Sequence, residues 1–191
     1  PNNEIELVDN VDPLLQNWIE YKAIQSKDIQ GKKNWSALTI YKIDVMHREL
    51  KKGKNILFVD GDIVFLDNPI KHLEREFKNL DLLIQNDESE QSKKTRYWCT
   101  GFFVMRSNQK SLDITDVSKI DQNDFPNDQQ YLRRFIHQLD YECLDLELFP
   151  NGKYFRTKNP KNPYIIHFNH DSGNSKIRRM KGFNYWYYDK Y

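Results

Sequence analysis

Apolar and polar positions along this chain change their period several times, and each change marks an element. Leu38, Ile40, Tyr41, Ile43, Val45, Met46 and Leu50 recur mostly at helical spacing after Ser36, a suitable N-cap, and Gly53 follows the basic end Arg48 to Lys52. The spacing predicts a helix over residues 37–51. Asn55 to Val59 is a short run rich in strand formers, closed by Asp60-Gly61-Asp62, which reads as a buried strand ending in a polar turn. Ile63 to Leu66 is a further extended piece, Pro69 opens a helix to Lys78, and Asp81 to Gln85 and Gly101 to Met105 read as strands. Tyr131, Leu132, Phe135, Ile136 and Leu139 predict a helix over 128–139, begun by Asn127 or Pro126. Leu144 to Phe149 and Tyr164 to Phe168 are the last expected strands, and the aromatic tail Phe183 to Tyr191 is expected to pack back. Asn86 to Arg96 is polar without period and reads as a mobile loop, a natural lid, while Thr157 to Pro163 reads as a loop between strands.

Strands alternating with helices imply an α/β fold, a central mixed sheet flanked by helices, and 191 residues leave room for a single domain. A formal charge of +1 removes any whole-chain field that would favour nucleic acid or an anionic membrane, so phosphate recognition has to be local. The 11 Tyr, 11 Phe and 4 Trp argue for a packed domain against disorder. Cys99 and Cys143 form neither a metal spacing nor a disulfide framework, which points to a reducing compartment, and no apolar stretch is long enough for a membrane span. The expected location is therefore cytoplasmic, the host cytoplasm if the source is viral. The chain begins at Pro1 without Met, which reads as a trimmed piece of a longer protein.

The chemistry begins at Asp60-Gly61-Asp62. Two carboxylates separated by one glycine after an apolar strand can both face one cation, and the strand's C-terminal edge is where open α/β sheets bind ligands. Hard oxygen ligands of this kind suit Mg²⁺ or Mn²⁺. An isolated Asp-x-Asp is more often an ordinary turn, so the neighbouring segments decide.

Ile56 to Pro69, with Asp60-Gly61-Asp62 between two apolar pieces and Asn68-Pro69 after them, resembles the metal-binding segment of GT-A nucleotide-diphospho-sugar glycosyltransferases. Cys99-Thr100-Gly101-Phe102 is similar to the family's strand lining the donor sugar, with Cys99 where Asn is usual. Asn127-Asp128-Gln129-Gln130 resembles the segment near the reaction centre, and Tyr164 to His170 followed by Gly173 and Lys176 resembles the C-terminal metal and phosphate segment. The resemblance implies one Rossmann-like GT-A domain over residues 1–191. With only 59 residues before Asp60, its first strand and part of the base pocket are expected to be short or missing. It implies Mn²⁺ or Mg²⁺ held by Asp60, Asp62 and His167, with His170 the alternate third ligand. The donor, a UDP-sugar, is expected to meet Lys42, Asp60, Cys99, Thr100 and Lys176. Asp128 is the expected catalytic residue, binding a hydroxyl or acting as base, and the acceptor is a glycan or glycoprotein, as in transferases of large DNA viruses and bacteria that decorate surface glycans.

Bland readings stand beside these roles: His167 as a core histidine, Asp128 as a helix cap, Lys176 with Arg178 and Arg179 as a solvated charge run, and Lys42 as merely exposed. Trp35, Tyr97 and Trp98 are available for stacking, core packing being the commoner use. Two rivals remain at this stage. Asp60-Gly61-Asp62-Ile63-Val64 also fits the nucleophile motif of haloacid-dehalogenase phosphatases, and a silent nucleotide-sugar or glycan-binding module would keep the same fold. Oligomeric state, linkage and stereochemical course are not legible.

Overall fold

The computed structural model describes residues 32–95, 97–119 and 127–186. Helix α1 spans Lys32–Leu50, beginning earlier than its apolar period suggests. The side chains of Trp35 and Ser36, the residues Arg96 and Pro126, and the tail 187–191 lie outside what is described. Then follow β1 (Ile56–Val59), β2 (Ile63–Phe65), α2 (Ile70–Phe77), β3 (Leu82–Asn86), β4 (Trp98–Met105), α3 (Gln109–Thr115), α4 (Asp128–Phe135), β5 (Tyr141–Cys143), α5 (Gly152–Lys158), β6 (Ile165–His167) and α6 (Gly173–Gly182).

Four strands form one sheet in the order β1-β4-β3-β5, and β2 pairs with β6 in a separate ladder. β4 runs antiparallel to both β1 and β3, whereas β5 is parallel to β3. β1, β3 and β5 therefore point the same way, and their C-terminal ends gather at one edge. The pleat divides the core between the two faces. Leu82, Ile84, Phe103 and Met105 lie with Ile43, Met46 and Leu50 of α1 and Tyr131 and Leu132 of α4. Leu83 and Phe102 turn to the other face, with Leu73 and Phe77 of α2, Phe149 and Ile165. Burying each such large side chain is worth roughly 1.5–3 kcal/mol before entropy is counted.

The expected mixed α/β sheet flanked by helices is present, with local differences. The strand expected at Leu144 to Phe149 lies instead at β5, and the following residues turn. Leu144, Leu146 and Phe149 are buried as core plugs, so their apolar run reports burial without pairing. β4 starts three residues before Gly101, and the expected helix over 128–139 ends as α4 followed by a 3₁₀ turn, Ile136–Gln138. The helices α3 and α5 escape the period because each has only seven residues. Both are fixed at the N-terminus by asparagine caps, Asn108 accepting from Ser111 N and Asn151 from Lys153 N and Tyr154 N. The loop after β3, expected to be mobile, is tied down: Lys93 O accepts from Cys143 N at 2.7 Å, Gln91 Oε1 from Leu146 N at 2.7 Å, and Glu88 O from Asn151 Nδ2 at 2.8 Å. Backbone tethers of this kind leave no trace in hydrophobic period. The described part of the tail does pack back, Phe183 against Phe155 and Tyr185 against Phe168.

Candidate active site

A register break in β4 builds the site. β4 follows β3 from Leu82↔Met105 to Ile84↔Phe103, then the pairing jumps to Gln85↔Cys99. Thr100, Gly101 and Phe102 drop out of that ladder and lean toward β1, where Phe102 pairs with Val59 and Gly101 O accepts from Asp60 N at 2.7 Å. Bulges commonly re-aim side chains in this way. The close approach demands glycine: a Cβ on Gly101 would lie 2.3 Å from His167 Cε1 and 2.6 Å from Asp60 Oδ2.

Asp60 follows β1 directly, and Asp62 leads into β2. The β2–β6 ladder pairs Ile63 with His167, and Asp62 O accepts from Phe168 N at 3.0 Å, so this short ladder sets Asp62 beside His167. Asp62 Oδ1 lies 3.2 Å from His167 Nε2, and Asp62 Oδ2 lies 2.5 Å from Lys176 Nζ. One ligand atom from each of Asp60, Asp62 and His167 falls within 4.8 Å of the others. Two carboxylates and an imidazole nitrogen, three hard or borderline donors, fit a divalent cation such as Mg²⁺ or Mn²⁺. His167 is 1% exposed, and its other ring nitrogen lies 2.6 Å from Gln85 Oε1. The two carboxylates are driven apart electrostatically. Burial raises Asp60 above the usual carboxylate range, with Lys42 and His167 offsetting only part of it. Burial also acts on Asp62, but hydrogen bonds and charge from His167 and Lys176 outweigh it and hold Asp62 well below that range.

Lys42 projects from α1 into the same end of the sheet. Its Nζ donates to Thr100 O at 2.6 Å, pairs with Asp128 Oδ2 at 2.8 Å and with Asp60 Oδ1 at 3.5 Å, and sits 4.2 Å from the centroid of the Phe58 ring. It is thus a shared counter-ion between Asp60 and Asp128. Asp128 is not the cap of α4; Asn127 caps it, accepting from Gln130 N at 2.8 Å, and the Asp128 carboxylate turns inward to Lys42. Thr100 is buried and contributes its carbonyl. Cys99 lies on the floor, its Sγ 3.6 Å from Asn169 Nδ2 and 3.9 Å from His167 Nδ1. Burial pushes that thiol up to about 12, so it is neutral.

Other expected residues go elsewhere. His170 does not join the carboxylate pair; its Nε2 meets Asp87 Oδ1 at 3.0 Å, in a left-handed turn at φ 62°. Trp98 is core, whereas Tyr97 is 58% exposed with Arg133 over its ring. Arg179 is no free surface charge, because it pairs with Asp171 at 2.6 Å. Sequence reasoning missed Gln85 and Asp87. Its one available signal was a glutamine closing the apolar run Leu82 to Ile84. Among the described residues no helix is long and apolar enough to cross a membrane.

A family model of the nucleotide-diphospho-sugar transferase matches residues 6–180. A UDP-galactose:fucoside alpha-3-galactosyltransferase of Dictyostelium discoideum is 30% identical over 175 residues, covering 72% of this chain and 26% of that protein. The chain therefore spans about a quarter of the length of this relative. Among solved structures, a glycosyltransferase involved in the glycosylation of the major capsid of PBCV-1 superposes with a TM-score of 0.55 at 15% identity, over 77% of each chain, a likeness of fold.

Proposed function

The chain belongs to the nucleotide-diphospho-sugar transferase family, and from that premise we propose that it is a metal-dependent glycosyltransferase domain moving a sugar from a UDP-sugar to a hydroxyl of a glycan or glycoprotein. The haloacid-dehalogenase alternative belongs to a different family. The observation that carries the reading is the convergence of Asp60, Asp62, His167 and Lys176 at the C-terminal edge of β1. The name of the Dictyostelium relative favours UDP as the nucleotide.

In this reading Asp60, Asp62 and His167 hold Mn²⁺ or Mg²⁺, which when bound neutralises charge on the departing diphosphate. The chain's own groups do the rest. Lys176 adds a second positive charge at the phosphate side, released from Asp62 as a phosphate oxygen replaces that partner. Gly101 leaves His167 and Asp60 the room to meet, since a Cβ there would fall on both, and Thr100 beside it lines the donor sugar. Lys42 holds the Asp128 carboxylate at the site's other wall, where it receives a hydroxyl of acceptor or donor.

A direct assay is UDP release from a panel of UDP-sugars, with and without Mn²⁺ and with candidate glycan acceptors. The transferase reading expects metal-dependent release from one preferred donor, faster with acceptor. Donor binding without turnover under every metal and acceptor condition would instead identify a binding module.

A further inference from the structure

We propose that Gln85 is a positioning residue for this site, its amide holding a proton on His167 Nδ1 so that Nε2 is the ring nitrogen left to a cation shared with Asp60 and Asp62. The inference rests on the metal-dependent reading above. Gln85 is fully buried and stands at the register break of β3 against β4. Its two amide ends are not interchangeable. The nitrogen donates to Phe149 O at 3.1 Å and to Pro150 O at 3.2 Å, and a flipped amide would set oxygen against two carbonyl oxygens. Oε1 is therefore the atom facing the ring, and it accepts from His167 Nδ1 at 2.6 Å.

With a proton kept on Nδ1, Nε2 is the nitrogen that can offer its lone pair to a cation. That atom faces Asp62 Oδ1, itself an acceptor, at 3.2 Å, with an Asp60 carboxylate oxygen within 4.8 Å. With no cation bound, a proton on Nε2 serves Asp62, and a cation would take that proton's place. A ring whose only proton sat on Nε2 would first have to give up the hydrogen that points into the same space. The support is stiff as well: Pro150 O accepts both the Gln85 amide and the backbone N–H of His167, the latter at 3.2 Å. One carbonyl thus orients both the residue that sets the proton and the strand that carries the ring.

Two variants separate positioning from mere support. Gln85→Met removes acceptor and donor at similar length; Gln85→Glu keeps the acceptor but sets a carboxylate against the two carbonyls. A supporting role predicts that Gln85→Glu suffers more, a positioning role that Gln85→Met does. The readouts are Mn²⁺ affinity in the presence of UDP, from the EPR signal of free Mn²⁺, melting temperature, and the His167 tautomer from long-range ¹H–¹⁵N correlation in metal-free protein. We expect Nδ1–H in the wild type and in Gln85→Glu, with Mn²⁺ affinity retained. Gln85→Met should show mixed tautomers and bind Mn²⁺ roughly 10–100-fold more weakly, the usual effect of losing a partner behind a ligand. Unchanged tautomer and affinity in Gln85→Met, or affinity losses that merely follow melting temperature in both variants, would overturn the proposal. If Gln85→Met does not fold, the wild-type spectrum decides, a ring protonated only at Nε2 overturning it and Nδ1–H supporting it. A tautomer that depends on Gln85 in a protein with no Mn²⁺ affinity would uphold the orienting role and sink the metal reading instead.

Discussion

The two ends of the central sheet treat carboxylates in opposite ways. At the end where β3 and β5 begin, Asp81 is caged by donors: Asn108 Nδ2 at 2.6 Å on one oxygen, and Lys110 Nζ at 2.9 Å with Asp140 N at 2.9 Å on the other. Beside it Arg106 closes α2 by donating to the carbonyls of Phe77, Lys78 and Leu80, and stacks on the Phe77 ring. Acceptors there meet donors. At the other end Asp60 and Asp62 meet one histidine nitrogen, and two lysines serve three carboxylates. The first arrangement stabilises a fold; the second, on the proposed reading, holds its groups in readiness for a cation and a phosphate. Substitutions at the two ends should therefore separate stability from activity.

The largest separation is expected for Asp62→Ala. On the proposed reading its loss removes one cation ligand and the partner of Lys176, so sugar transfer should fall on the order of 10³-fold, the scale of losing a preorganised electrostatic group. The melting temperature should hold, because the lost pair is partly exposed and repulsion with Asp60 goes with it. Donor turnover and thermal melts on the same preparation check both halves; full activity in the variant would end the metal assignment.

Asp81→Ala should give the reverse pattern. The Asp140 N–H and the Asn108 amide lose their acceptor, and stability should drop by about 1.5–3 kcal/mol with kcat unchanged in the folded fraction. Urea unfolding measures the first quantity, and turnover at low temperature the second. If Asp81→Ala impaired turnover as Asp62→Ala does, the contrast between the two ends would be false.

Gly101→Ala tests both ends of the argument at one position. The new methyl would fall against His167 and the Asp60 carboxylate, so both must shift. A stability cost of about 1–3 kcal/mol should accompany weaker Mn²⁺ binding. A crystal structure of the variant with both side chains unmoved would show that the crowding at β4 is relaxed in solution.

The structural end was almost invisible in the sequence. Asp81 read only as the start of a strand, and of its partners Asn108 and Lys110 belong to a helix too short for a hydrophobic period to reveal, while Asp140 lies in the connection before β5. The functional end was more legible. Asp60 and Asp62 lie two residues apart, and Gly101 and His167 each sit in a segment resembling one of the family's, so the resemblance narrowed the chemistry. What those segments could not supply was the register break between Ile84 and Gln85, which decides that Gln85 reaches His167 and that Thr100 O reaches Lys42. Nor could they tell a tethered loop from a mobile one, because Lys93, Gln91 and Glu88 are held through backbone groups and single amides.

The smallest expected effect is also the most specific to the structural end. Burial tends to raise the Asp81 carboxyl, but the Asp140 N–H, Lys110 and Asn108 outweigh it and leave the group below its ordinary value. A carboxyl depressed in the folded state contributes stability that is fully present above its unfolded value, about 3.9, and is lost as the pH falls through the folded one. The wild type should therefore lose stability on acidification below about pH 4 partly through this group. In Asp81→Asn no proton is taken up at this position, so that part of the acid slope should vanish, while stability near neutral pH is lower from the start because the amide offers one acceptor oxygen where the carboxylate had two. The difference in unfolding free energy between the two proteins should be constant from neutrality down to the unfolded carboxyl value and shrink below it. Urea midpoints taken across that range decide the matter. A difference that stays constant into strong acid would mean that the cage around Asp81 does not favour its charged form, and the contrast between a satisfied end and a poised end would rest on geometry alone.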